Sequence, residues 1–182
     1  MDLFKTLFNR QLNEPLQRRG NIEYEVQYQS NNIANKGFEI IEIINKEKCS
    51  LILYRHFYDL PEEEEREIVL KIRIINDNGL LYPEPVLKAF FNYDFSEIEL
   101  GDIEIEEHLA SNGYGGILLN QLINIAVQKK SKKISGWISR VDEDHMDRLT
   151  HFYKKHHFVM SLKESKSLTN KIGDIVWINP DY

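Results

Sequence analysis

Apolar and polar positions follow three successive rhythms along the chain. Over residues 2–19, Leu3, Phe4, Leu7, Phe8 and Leu12 recur at helical spacing, and Gly20 after Arg18 and Arg19 supplies a stop. Pro15 interrupts that stretch and kinks or shortens it, so residues 1–20 are expected as an N-terminal helical extension. From residue 21 the rhythm becomes alternation. Ile22, Tyr24, Val26 and Tyr28 fall opposite Glu23, Glu25 and Gln27, which predicts a half-buried strand over Asn21–Gln29. Two further strands are expected at Phe38–Ile44 and Ser50–Phe57, joined by the polar turn Asn45–Lys48. A fourth is expected at Ile68–Ile75, closed by the turn Asn76-Asp77-Asn78-Gly79. Pro83 and Pro85 then open a predicted short helix around Val86–Asn92.

The third rhythm mixes both periods. Glu97–Glu107 alternates, and Gly113-Tyr114-Gly115-Gly116 leads directly into Ile117, Leu118, Leu119, Leu122, Ile123 and Ala126 at helical spacing. Lys129, Lys130, Lys132 and Lys133 end that helix, where cations complement its dipole. A strand follows at Lys133–Arg140. The next helix, Asp142–His156, carries Met146, Leu149, Phe152 and Tyr153 on one side, and closing strands fit Phe158–Leu162 and Asp174–Ile178. With no repeat or low-complexity linker, residues 1–182 read as one domain.

Composition narrows the function classes. The chain has 182 residues, a net charge of −6 and a pI near 5.6, which argues against generic nucleic-acid binding and against a polybasic membrane contact. A single cysteine, Cys49, rules out an internal disulfide framework and a cysteine-rich zinc module. No apolar run approaches the ~20 residues of a membrane span, and Asp2, Lys5 and Arg10 break any signal-peptide pattern. A reducing cytoplasm is the expected compartment. His145, His151, His156 and His157 invite a metal reading, but helical spacing puts His145 and His151 on different faces, so no metal site is expected. The tract Pro61–Glu67 reads as a solvated loop or helix start, with an acidic groove for a cationic substrate as the sharper alternative.

A strand, a glycine turn and an apolar helix in succession can hold a phosphate. Glycine lets backbone N–H groups approach an anion, and the helix N-terminus adds partial positive charge. The turn here lacks the Lys-Ser or Lys-Thr of a phosphate loop, and Leu118 occupies the third glycine position of a dinucleotide fingerprint. Combined with the later run Phe152-Tyr153-Lys154-Lys155-His156-His157-Phe158, however, Gly113–Leu119 resembles the GNAT family of N-acetyltransferases. The resemblance covers residues 96–162. It implies an α/β, GNAT-like fold: a central mixed, twisted sheet, splayed between its fourth and fifth strands and flanked by helices.

It also implies acetyl-CoA as co-substrate, with its pyrophosphate cradled by Asn112, Gly113, Tyr114, Gly115 and Gly116. The backbone N–H of Ile105 is expected to face the thioester carbonyl and steady the charge that develops there. Tyr153 matches the family's general acid. Glu99, counted back from Gly113, matches the strand glutamate that serves histone-type members as base, and Glu104, nearer the splayed end, is the second candidate. The implied reaction is direct attack by a primary amine, small-molecule or protein, on the thioester, in a monomer or homodimer. A catalytically inactive GNAT-fold protein, acting as a coenzyme A sensor or assembly module, is the alternative. Two departures bear on that choice: Ala110 stands where the family has Arg or Gln, and His157 where it has glycine.

Overall fold

A computed structural model describes residues 21–56, 66–162 and 170–182. The helix expected over residues 2–19 and most of the acidic tract lie outside the described residues. The chain opens with helix α1, Ile22–Asn35, followed by strands β1 (Glu39–Asn45), β2 (Cys49–His56), β3 (Glu67–Asn76), β4 (Gly79–Leu81), β5 (Val86–Phe91) and β6 (Glu97–Glu104). Helix α2 (Tyr114–Gln128), β7 (Lys133–Ser139), helix α3 (Met146–Lys155), β8 (Val159–Leu162) and β9 (Lys171–Ile178) complete it. Short 3₁₀ turns at Glu107–Leu109 and Arg140–His145 precede α2 and α3.

The nine strands form one sheet in the order β1-β2-β3-β5-β6-β7-β9-β8, with β4 paired to β3. Every neighbouring pair is antiparallel except β6 and β7, which run parallel through the crossover helix α2. The sheet is mixed and open, with helices on both faces. Leu118, Leu119 and Leu122 of α2 pack on Leu70, Leu87, Ala89, Ile98, Leu100 and Ile134, and this makes the main core. A smaller core on the opposite face joins Ile33 of α1 to Ile52, Tyr54 and Ile75.

Two expected elements change type. Asn21–Gln29 is the start of α1, not a strand. Its alternation is real, but Ile22, Val26, Gln29 and Ile33 also form a helical stripe that reaches the second core, and that period wins because it extends further. Asn21 caps the helix by accepting the Tyr24 N–H at 3.1 Å. Val86–Asn92 is strand β5 rather than a helix. Leu87, Ala89 and Phe91 are buried while Lys88 and Phe90 are not, a period of two that seats the segment between β3 and β6.

Candidate active site

β6 and β7 pair only from Glu97 opposite Lys133 to Leu100 opposite Gly136. Beyond that point β6 continues along β5 as far as Glu104, and β7 continues along β9 as far as Ser139. The sheet therefore opens between its fifth and sixth strands in spatial order, not its fourth and fifth. The other end of the pair is stitched shut. Lys132 N–H donates to the Ser96 carbonyl at 2.6 Å, and buried Ser131 and Asn179 bond across the same end.

Above the opening, the chain leaves β6 through Ile105 and the 3₁₀ turn, then enters α2. Ser111 and Gly113 both adopt left-handed backbone, with φ of 63° and 82°. At Gly113 a Cβ would meet nothing within 4 Å, so the requirement there is conformational and the turn faces open space. The first intrahelical bond of α2 is Ile117 N–H to the Gly113 carbonyl, which leaves the N–H groups of Tyr114, Gly115 and Gly116 available to an acceptor outside the helix.

The structure divides the six residues expected at the coenzyme. Gly113 and the backbone of residues 114–116 form the turn whose N–H groups are left without a helical acceptor. The side chains do other work. Tyr114 is buried, its phenol raised above the usual range by burial and then by Cys49, with the Lys46 ammonium 5.4 Å from its ring centroid. Asn112 donates to the carbonyls of Leu109 and Ala110, both at 3.1 Å, and so shapes the loop. Gly115 and Gly116 sit inside α2 and are glycine for packing. A Cβ at 115 would lie 3.3 Å from Ile105 Cδ1 and 3.5 Å from the Phe152 ring, and one at 116 would lie 3.2 Å from His156 Nε2. Their absence of side chains lets α3 close against the first turn of α2. Ile105 is half-buried at that junction.

Helix α3 brings Tyr153 to the same place. Its ring packs against Phe152 and Phe158 at 5.2 and 5.5 Å. Burial, followed by the charges of Asp142 and Asp102, pushes the phenol up to about 12, so the hydroxyl keeps its proton at neutral pH. Nearby, buried His156 places Nδ1 2.8 Å from Asn120 Oδ1; the amide oxygen accepts, so Nδ1 carries the hydrogen. Burial, then Lys155 and His157, holds this imidazole below its ordinary value and therefore neutral. The helix ends in a Schellman turn, with Phe158 N–H donating to the Tyr153 carbonyl and His157 N–H to that of Lys154, both at 3.0 Å. His157 adopts φ 64° there, and this is the physical reason glycine suits the position.

Of the two glutamates, Glu99 lies in the closed part of the sheet, opposite Phe90 and Ser135, and is exposed. Glu104 lies past the opening, and Lys88 donates to its carboxylate at 2.6 Å. Sequence reasoning did not single out Asp102 or Asn120, and it weighed His156 only as a metal ligand. Among the described residues, no group of three or more His, Cys, Asp or Glu is arranged to hold a metal ion, and no helix is long and apolar enough to cross a membrane. A separate cleft lies between β1, β2 and the C-terminal half of α2, lined by Glu39, Arg55, Gln121 and Lys129 among others.

Known structures resemble this fold. An IAA acetyltransferase from Bacillus cereus superimposes with a TM-score of 0.50 at 13% identity, over 71% of this chain and 99% of that one. A PaiA N-acetyltransferase from Thermoplasma acidophilum, solved with coenzyme A, gives 0.47 at 13% identity, over 65% of this chain and 64% of that one. In sequence, the uncharacterized protein YocC of Bacillus subtilis is 33% identical over 88 residues, a match spanning 48% of this chain and 49% of that one. No family model matches. The fold is that of the GNAT N-acetyltransferases, with two parallel strands that part beneath a glycine turn.

Proposed function

We propose that the protein is an acyl-CoA-dependent N-acetyltransferase, moving an acetyl group from acetyl-CoA to a primary amine by direct attack. One observation carries this reading: the left-handed Gly113 turn, with the free N–H groups of α2, opens onto the mouth between β6 and β7, where Tyr153 also arrives. Bound acetyl-CoA would supply an activated acetyl thioester. The backbone of Gly113–Gly116 holds its pyrophosphate through N–H donors and the helix dipole. Ile105, the first residue beyond β6, offers its N–H to the thioester carbonyl. Tyr153 gives the departing thiolate a proton, and its raised phenol suits it to remain a donor throughout. A carboxylate of β6 accepts the proton that the acceptor ammonium must lose. Holding both substrates in one complex removes most of the entropic barrier.

Ala110 favours weaker coenzyme binding, because no guanidinium or amide reaches the phosphates from that position. A titration with acetyl-CoA followed by calorimetry and thermal unfolding tests the first half of the proposal. At ligand 100-fold above Kd, the protein gains ~2.7 kcal/mol of stability. Acetyl transfer to a panel of primary amines, small-molecule and peptide, tests the second. Binding without transfer to any amine would establish the sensor or assembly role instead, and no binding would overturn both.

A further inference from the structure

β6 does not alternate cleanly. Ile98 and Leu100 face the main core, but the next core-facing residue is Ile103, because Gly101 is an extra residue between the pairs Ala89–Leu100 and Lys88–Asp102. Glycine suits this bulge: a Cβ there would lie a tight 3.2 Å from both the Lys88 carbonyl oxygen and the Phe90 ring. The bulge resets the phase of the strand. It puts Asp102 on the outward face, together with Glu99 and Glu104, and it does so immediately past Leu100, the last residue of β6 that pairs with β7.

The three carboxylates therefore differ in position. Glu99 lies below the opening, with paired strands on either side. Glu104 lies above it and is held by Lys88. Asp102 stands at the opening itself. Its carboxylate accepts the neighbouring Ile103 N–H at 2.7 Å, and among the described residues no lysine or arginine forms an ion pair with it. Its charge reaches Tyr153, which comes from the other face of the sheet on α3. Asp142, the other carboxylate felt by Tyr153, is drawn into a cap, accepting the Ser139 N–H at 3.2 Å.

We infer that Asp102, on β6 where that strand leaves β7, is the group that takes the proton of the acceptor amine, in place of Glu99 or Glu104. The assignment rests on the acetyl-transfer reading above. The acceptor ammonium releases one proton to Asp102, which passes it to water, and the neutral nitrogen forms the C–N bond as the thioester C–S bond breaks. The nitrogen then loses its second proton to solvent. The thiolate takes one from the Tyr153 hydroxyl, which solvent replenishes, so one proton is released per turnover. The titratable groups about Asp102 are Lys88, its cross-strand partner on β5, Glu104 two residues along its own strand, and the Tyr153 hydroxyl on α3, which its charge reaches.

The test compares rate against pH for the unaltered chain, Asp102→Asn, Asp102→Glu and Glu99→Gln, with acetyl-CoA and a primary alkylamine. Asp102→Asn is expected to lose on the order of 10²–10⁴-fold in kcat at neutral pH, to keep its coenzyme A affinity in calorimetry, and to regain rate in alkaline solution where the amine is already neutral. Asp102→Glu restores part of the neutral-pH rate, and Glu99→Gln stays within a few-fold of the parent. An unchanged pH profile in folded Asp102→Asn overturns this assignment alone, as does loss of the neutral-pH rate in Glu99→Gln instead. An unaltered protein that moves no acetyl group overturns the acetyl-transfer reading, and the proton acceptor with it.

Discussion

The two halves of the sheet are built on opposite terms. At β2 and β3 both faces are covered, so β2 is buried along nearly its whole length. Across the far face runs a polar chain: Tyr54 donates to Glu84 at 2.6 Å, Arg73 to Glu84 at 2.5 Å and to Gln29 at 2.7 Å, and Gln29 to Glu25 at 2.7 Å. This network ties α1 to β2, β3 and the start of β5. From β6 to β9, α2 and α3 cover one face, while the other exposes Trp137, Val159 and Ile178 at 48%, 69% and 62%. There the two parallel strands part. β6 belongs to both halves, pairing with β5 along its length but with β7 for only four residues. The closed half thus anchors one lip of the opening, and the proposed site lies in the half that is left open.

If that division holds, single substitutions should separate activity from stability. Tyr153→Phe carries the largest expected effect. It removes one hydroxyl and keeps the ring packing on Phe152 and Phe158, so kcat should fall by roughly 10²–10⁴-fold with little change in Tm. A parallel loss of stability would place that oxygen in a structural bond and break the comparison. Arg73→Met is the counterpart in the closed half. It leaves the Glu84 carboxylate buried without its cation, which should cost about 3–5 kcal/mol, at ~2–4 °C of Tm per kcal/mol. Well below the new Tm, coenzyme A affinity and turnover should match the parent; a kinetic defect there would show that the polar chain also sets the opening.

Sequence reached the open half more easily, for physical reasons. α2, β7, α3, β8 and β9 each show one dominant period, β6 does so as far as Gly101, and glycine at 113 announces a left-handed turn that the backbone adopts. In the closed half, α1 carries two periods at once, and only the core on the far face of the sheet decides between them. β5 follows Pro83 and Pro85, which signal a helix start, yet Pro85 instead gives its carbonyl to the Ile72 N–H. Within the site, the roles of Gly115 and Gly116 were not legible, because close approach by α3 is a tertiary fact. Asp102 was hidden for a similar reason: one extra residue in a strand resets every side chain after it, and Gly101 in an alternating run does not say on which side of itself the phase changes.

Gly113→Val sharpens the contrast through a matched pair. Gly113 and Gly37 have similar left-handed backbones, φ 82° and 78°, and a Cβ at either would meet nothing within 4 Å. A β-branched residue should therefore cost each site a similar strain, at least ~1–2 kcal/mol, and lower Tm alike. Only Gly113→Val should weaken coenzyme A binding, by about tenfold or more, since each 1.4 kcal/mol lost from the turn is a factor of ten. Equal affinities for the two variants in calorimetry would remove the turn from the coenzyme site.

His157→Gly carries the smallest effect and runs in the favourable direction. Among the described residues the exposed imidazole makes no hydrogen bond, while its backbone sits at φ 64° in the Schellman turn that closes α3. Relieving that strain gains ~1–2 kcal/mol, and the extra freedom of glycine in the unfolded chain takes back about 0.4–1 kcal/mol, leaving a modest rise in Tm at neutral pH. The gain should grow in mildly acidic solution. His156 is held below its ordinary value by burial, then by Lys155 and His157, so the folded state binds fewer protons than the unfolded chain. Its contribution to stability is complete above the unfolded value and is lost as pH falls through the folded one. Removing the neighbouring imidazolium lifts that folded value and lessens the acid loss. Melts of both proteins at neutral and mildly acidic pH would show the difference widening; a constant difference would mean that the contact of α3 with the first turn of α2 does not sense the charge on His157, and that strain alone accounts for the gain.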